Sequence, residues 1–353
     1  MGLAGSVASA SLPHLSKRMH QVINPPVRCA IIGAGLAGLS CATTLQQAGM
    51  AVTVFEKSRG ASGRMSTRRT DDWQCDHGAQ YFTARDLDFR AELARWQDAG
   101  AAALWTPRLH VIGNESSHQP DSTLERFVGT PGMTAPGHLL AAALDVRCQH
   151  TLVALHRDET GWQLQTAEHG SIAERFDCVL LAVPAPQVVP LLRVCAPELA
   201  QIAHAAPMQP SWALMLRFAA PLALPFDAAF VNRGPLRWVA RNRSKPGRNA
   251  QEIWLLHATG AWSLAHVDQS ADDVARDLLE AFAELGAPTP VAWRAHCWRY
   301  AQAATALNQA CAWDGHAGLG LCGDWLHGGK VEGAWLSGRQ LARHCLASFV
   351  SSP

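Results

Sequence analysis

Gly33, Gly35 and Gly38 form a GxGxxG pattern inside "AIIGAGLAGLSCATTLQQAGMAVTVFEK", Ala30 to Lys57. Each glycine has its own task if the segment folds as strand, turn and helix. Gly33 permits the tight turn, Gly35 lets the backbone approach a pyrophosphate, and Gly38 lets helix and strand pack closely. The helix presents free N–H groups and the positive end of its dipole to an anion. Glu56 ends the second strand about twenty residues on, where a carboxylate accepts hydrogen bonds from ribose hydroxyls and disfavours a 2′-phosphate. Ala37 in the helix and Lys57 beside Glu56 complete the expected contacts. A structural glycine turn would explain the glycines but not the strand, helix, second strand and terminal acid together.

The type of nucleotide is decided further along. Arg64, in "GASGRMSTRR", follows the unit directly and is suited to clamping a pyrophosphate from the far side. Its neighbours Arg59, Arg68 and Arg69 leave a solvated basic loop as the plain alternative. A second glycine-rich approach, "GLGLCGDWLHGGKVEGAW", lies near the C-terminus. There Gly323 and Asp324 could meet ribityl or ribose hydroxyls, and a helix opening at Val331, Glu332 and Gly333 aims its positive end at an anionic group. In a flavin that group is the N1–C2=O edge, which gains negative charge on reduction. A domain binding only NAD has no use for a C-terminal segment returning to the same site, so the reading is FAD.

These residues need a frame. "VRCAIIGAG", "LAGLSCATTLQQAG" and "AVTVFEK" read as β, α and β, the start of a parallel sheet covered on both faces. Residues 86–104 read as a helix, with Phe89, Leu93 and Trp96 on one side. "PGMTAPGHLLAAAL" is a turn into a helix, and "DVRCQHTLVALHRDETGWQLQTA" a hairpin turning at "DETG". "RFDCVLLAVPAPQVVPLL" is a continuous apolar strand stopped by prolines. Residues 211–260 are β-rich and read as an antiparallel sheet, followed by an amphipathic helix over 271–285. The fold class is therefore α/β: a Rossmann-like FAD domain from 27–85, 131–190 and 312–350, and a mixed α+β cap from 86–130 and 191–311 carrying the substrate surface.

The totals narrow the function classes. A net charge of +1 over 353 residues gives no electrostatic basis for nucleic acid or anionic membrane. No apolar run approaches transmembrane length. The ten cysteines are scattered without a CxxC pair, which suggests neither disulfide framework nor zinc site and points to a reducing cytoplasm. Residues 1–26 read as a disordered leader, with Met19 an alternative start and "MGLAGS" a loose myristoylation match. No HExxH, GxSxG or P-loop is present, and Cys75, Asp76 and His77 lack a second ligand pair for a metal. Oligomeric state is not legible.

Five blocks carry a resemblance: "GRMSTRR", "DHGAQYFTAR", "LRWVARN", "CWRYAQ" and "CGDWLHGGKVEGAWLSGRQLA". In this order and spacing the chain resembles the bacterial branch of the renalase family, within the amine-oxidase-like flavoproteins, over about 27–346. Ser62 departs from the glycine usual in that loop, which leaves its backbone angle open. The resemblance implies non-covalent FAD at Gly33, Gly35, Gly38, Glu56, Arg64, Asp324 and Val331, with Leu152 packing near adenine. It also implies oxidation of 2- and 6-dihydro-NAD(P) isomers to NAD(P), with dioxygen reduced to hydrogen peroxide, a metabolite-repair role.

Hydride transfer from a dihydropyridine to a flavin needs no protein acid or base; it needs a planar slot. The candidates for that slot are Gln80, Tyr81, Trp238, His257, Trp298 and Arg299. Each has a plainer reading: the tryptophans as core, His257 as a satisfied core histidine, Arg299 as an ion-pair partner. Two rival functions remain. An amine oxidase would need facing aromatics around a neutral amine, and a flavin-binding redox sensor would keep the clamp and lose the slot.

Overall fold

The computed structural model describes residues 26–113 and 123–350. All but one residue of the expected leader lies outside the described residues. Strand Arg28–Ile32 is flanked in parallel by Ala51–Glu56 and Cys178–Leu181. Asp145–Cys148 and Leu319–Leu321 extend the sheet on either side, also in parallel, and Ala312–Asp314 closes one edge antiparallel.

Alternation sends these strands' side chains to two cores. Cys29, Ile31, Cys178 and Leu180 pack toward the first helix, Leu36–Gln47, and the last, Val331–Val350. Ala30, Ile32, Val179 and Leu181 face a three-stranded sheet within 152–171 and two short helices, Ala185–Leu192 and Pro197–His204. Burial on both faces is why the strands read as unbroken apolar runs. The first and last helices cross closely, since a Cβ on Gly338 would stand 2.0 Å from the Ala37 carbonyl oxygen. Three cysteines far apart in sequence, Cys29, Cys178 and Cys345, meet in this core, with the Sγ atoms of 178 and 345 3.8 Å apart.

Three local expectations are corrected. "DVRC" is not part of the hairpin: it joins the parallel sheet beside Ala51–Glu56, and the hairpin is Leu152–Asp158 with Gly161–Thr166. The strand in "RFDCVLLAVPAPQVVPLL" ends at Leu181, and the prolines begin a helix, because the first turn of a helix tolerates a residue without N–H. The helix expected over 86–104 stops at Asp98, and Ala102–Leu104 is a strand. Its start is well specified, with the Asp86 carboxylate accepting from the Asp88 and Phe89 N–H groups at 2.9 and 3.1 Å.

The second half is a six-stranded sheet in the order Ala292–Ala303, Met208–Phe218, Glu252–Ala258, Leu236–Arg241, Ala228–Val231, Leu109–Ile112. The first five are antiparallel, as expected over 211–260 and with Ala292–Ala303 added at the edge, and the last pair is parallel. One face buries Leu214, Leu216, Trp254 and Leu256 against helix Ala271–Ala283, which contributes Val274, Leu278 and Phe282 at helical spacing. Ala213, Met215, Ile253 and Leu255 line the opposite face, together with Trp73 and Cys75 of a small hairpin, Thr67–Arg69 and Gln74–Asp76.

Candidate active site

At the end of Arg28–Ile32, Gly33 takes φ +104° and its N–H donates to the Phe55 carbonyl at 2.8 Å. Gly35 caps the first helix without any side-chain hydrogen bond, so the first-turn N–H groups lack a side-chain acceptor. A Cβ on Gly35 would meet nothing within 4 Å, whereas one on Gly38 would stand 2.0 Å from the Gly33 carbonyl oxygen. Open approach at one glycine and close packing at the other fit a pyrophosphate at this helix end. Glu56 is buried, its carboxylate accepting from the Ala34 and Ser58 N–H groups at 2.8 Å each. Both oxygens keep capacity for a further donor such as a hydroxyl. Ala37 is buried in the helix, Lys57 is exposed, and Leu152 is partly buried at the start of its strand. The residues present therefore fit a dinucleotide.

The adjoining loop is held in an unusual conformation. Ser62 has φ +99°, a region that favours glycine. The serine is buried there, its hydroxyl donating to the Thr134 carbonyl and its N–H to the Ala34 carbonyl, both at 2.8 Å. Ser62 thus adopts the positive φ that a glycine would. Two residues on, Arg64 donates to the Ala301 carbonyl at 2.9 Å and grips both carboxylate oxygens of buried Asp324, one at 3.2 Å. Gly323 donates its N–H to the Ser337 hydroxyl at 2.9 Å. Val331, Glu332 and Gly333 form the first turn of the last helix. The Glu332 carboxylate is committed elsewhere, accepting from the Arg85 and Asp86 N–H groups at 2.7 Å each.

The slot residues come together through cross-strand register. Trp238 pairs with His257, His257 with Ala213, and Ala213 with His296, giving one row across four strands on the face opposite the covering helix. Trp298 follows two residues after His296 on the same face. Loop 77–81 crosses this face. The His77 carbonyl accepts from His257 Nε2 at 3.0 Å and from Trp298 Nε1 at 2.9 Å. Tyr81 lies 5.6 Å from Trp238 between ring centroids and 6.3 Å from Trp105, with Trp105 and Trp238 6.5 Å apart.

Gln80 is anchored rather than free. Its amide donates to the Asp76 and Gly78 carbonyls at 2.9 and 3.1 Å and accepts from Lys245 Nζ at 3.0 Å. Lys245 and Arg248, both buried, also hold Asp76 at 3.1 and 2.6 Å. Burial alone would raise the Asp76 carboxyl, but the two cations outweigh it and keep it well below the usual range. Burial lowers His257 to about 4, and lowers His77 to about 3 with help from His296 and Arg68. Both rings are neutral near pH 7.

Arg299 does not join the slot. Strand alternation turns it away from Trp298, and its side chain is 59% exposed and paired with Asp268 at 3.2 Å. The sequence reading also missed His77, His296, Trp105 and Lys245. Alternation along "RAHCW" was a signal for His296, which shares the face of Trp298.

The family profile described as an NAD(P)-binding Rossmann-like domain matches residues 31–94, and that for flavin containing amine oxidoreductase matches residues 90–346. Renalase from Mus musculus is 23% identical over 301 residues, covering 80% of this chain and 86% of its own, in line with the resemblance read from the sequence. A putative protoporphyrinogen oxidase from Exiguobacterium sp. 255-15 superposes with a TM-score of 0.72 at 14% identity, covering 92% of this chain and 99% of its own. Cyclohexylamine oxidase from Brevibacterium oxydans IH-35A gives 0.71 at 13%, with 92% and 100% covered. At these identities the structural likenesses establish the fold.

Proposed function

The chain belongs to the flavin-containing amine oxidoreductase family, as a flavin-dependent oxidoreductase of renalase-like type, and on that premise we propose that it oxidises 2- and 6-dihydro-NAD(P) isomers to NAD(P). When bound, non-covalent FAD would accept the hydride and pass the electrons to dioxygen, giving hydrogen peroxide.

One observation carries the substrate assignment. The row of Trp238, His257 and His296, with Trp298 beside it, lines the face under loop 77–81 with planar side chains and no carboxylate. Its half-buried histidine, lowered to about 4, is neutral at working pH. Such a slot can stack a nicotinamide ring but supplies no counter-charge for a protonated amine and no strong base to deprotonate it. A dihydropyridine needs neither.

Each residue then has a task. Gly33, Gly35 and Gly38 admit the pyrophosphate to the first helix, Glu56 takes ribose hydroxyls, and Leu152 packs near the adenine. Arg64 and Asp324 hold the middle of the cofactor, and the last helix opens toward its anionic edge. His257 and Trp298, tied to the His77 carbonyl, fix the wall of the slot. Gln80 and Tyr81 line the approach, and the Lys245–Asp76 contact keeps Gln80 in place.

Amine oxidation is the second reading. It is favoured by the clustering of Tyr81, Trp105 and Trp238, three aromatics that pack against one another as such a reading would need. The test is anaerobic mixing of the holoprotein with borohydride-reduced NAD, which contains the 2-, 4- and 6-dihydro isomers. Pure 4-dihydro-NADH and a panel of amines run alongside. Bleaching of the flavin by the isomer mixture alone supports the first reading. Bleaching by an amine moves the assignment to the second, and bleaching by none leaves a flavin-binding sensor.

A further inference from the structure

Arg68 pairs with Cys75 across the small hairpin, so its side chain leaves on the face that carries Cys75 and, two residues on, His77. That face meets the edge strand Ala292–Ala303 at His296, whose ring centroid lies 5.1 Å from that of His77. The Arg68 guanidinium is near enough to depress both imidazoles. Among the described residues Arg68 makes no side-chain ion pair or hydrogen bond, and neither ring of the histidine pair makes one. His77 is only 4% exposed, yet its Nδ1 is buried without a partner. A permanent cation and two imidazoles with unused polar atoms, at an open sheet edge beside the slot, lack only an anion.

We propose that Arg68, His77 and His296 form a subsite for the phosphate of a nicotinamide nucleotide, the group that follows the ring as the substrate leaves the slot at the edge strand. This rests on the dihydro-nicotinamide reading above. A guanidinium fork matches phosphate geometry, and each neutral imidazole can contribute one N–H donor. Arg294, two residues before His296 on the same face and equally unpaired, extends the cationic rim outward. The subsite selects for phosphorylated substrates and against the bare nucleoside.

Two measurements on the holoprotein test it. In anaerobic stopped-flow, the 6-dihydro isomer of nicotinamide mononucleotide should bind at least tenfold tighter than that of nicotinamide riboside. Arg68→Met should erase the difference, Arg68→Lys should retain part of it, and the limiting bleaching rate should stay the same. Equal binding of the two by the wild-type protein, or a difference that survives in Arg68→Met, overturns the subsite. In calorimetric titration with oxidised nicotinamide mononucleotide, Arg68→Met should weaken binding at least tenfold; no weakening, or no binding by the wild-type protein, also overturns it. If no dihydro isomer bleaches the flavin, the catalytic reading falls, and this titration alone decides the subsite.

Discussion

Arg64 and Asp324, 260 positions apart, form a two-pronged ion pair that ties the loop after the first βαβ unit to the turn before the last helix. Read from motifs alone, each serves a different part of the cofactor; their contact makes them one device. Arg64→Ala and Asp324→Ala should each weaken flavin retention by roughly ten- to a hundredfold, the scale of a hydrogen bond to a charged group. The double variant should be little worse than either single one. Flavin fluorescence on dilution reads this, and simple addition of the two losses would show that the residues act independently.

Asp76→Asn should be severe. It leaves Lys245 and Arg248, whose side chains are 0% and 1% exposed, without their carboxylate. Stranding buried charge costs about 3–5 kcal/mol. Adding Lys245→Met should recover part of that loss. Denaturant titration of both variants checks the order, and a double variant less stable than Asp76→Asn would contradict it.

His257→Ala should slow reduction of the bound flavin by roughly tenfold or more, through loss of slot geometry, with flavin content unchanged. Trp298→Phe removes the indole N–H from the His77 carbonyl and should cost about 1 kcal/mol of stability. Unchanged reduction kinetics in His257→Ala would return that histidine to a packing role.

Arg299→Ala should leave both reduction rate and stability as they were, since its partner Asp268 is 83% exposed and exposed pairs contribute about 0–1 kcal/mol. A large kinetic effect would bring Arg299 back to the substrate.

Stability should also fall with pH in a defined window. His77 and His257 titrate below their ordinary 6.5, at about 3 and about 4. Between 6.5 and those values the unfolded chain binds protons that the folded chain refuses, so the histidine contribution is full above 6.5 and is lost as pH falls. Asp76, held low, acts only below the ordinary carboxylate range. Unfolding curves from pH 7 to 4 should therefore flatten in a His77→Phe variant; an unchanged slope would show that other groups set it.

What the sequence made legible was local. The glycine motif, Glu56 and the last helix announce themselves because turn, strand end and helix start each leave a signature within a few residues. The helix after Pro184 was lost because proline marks a strand's end and a helix's beginning alike. The tie of His77 to His257 and Trp298 was invisible because it is made by a backbone carbonyl, which any residue type supplies. His296 depended on which face of its edge strand turns inward, a matter of register with Met208–Phe218 that includes a shift between Gln209 and Ser211. Lys245 needed Asp76 and Gln80 to be brought near it, and only the fold does that.

The strand order of the parallel sheet has a consequence for how the protein is made. Arg28–Ile32 and Ala51–Glu56 leave the ribosome well before Cys178–Leu181, and Leu319–Leu321 follows later still. Until then one flank of the nascent sheet keeps an unpaired apolar edge, the kind of surface that aggregates during slow, long-range assembly. A premature stop before residue 319 would release a chain holding every residue of GxGxxG and no completed sheet to carry it. Such a product calls for chaperone capture or proteolysis, not weak activity.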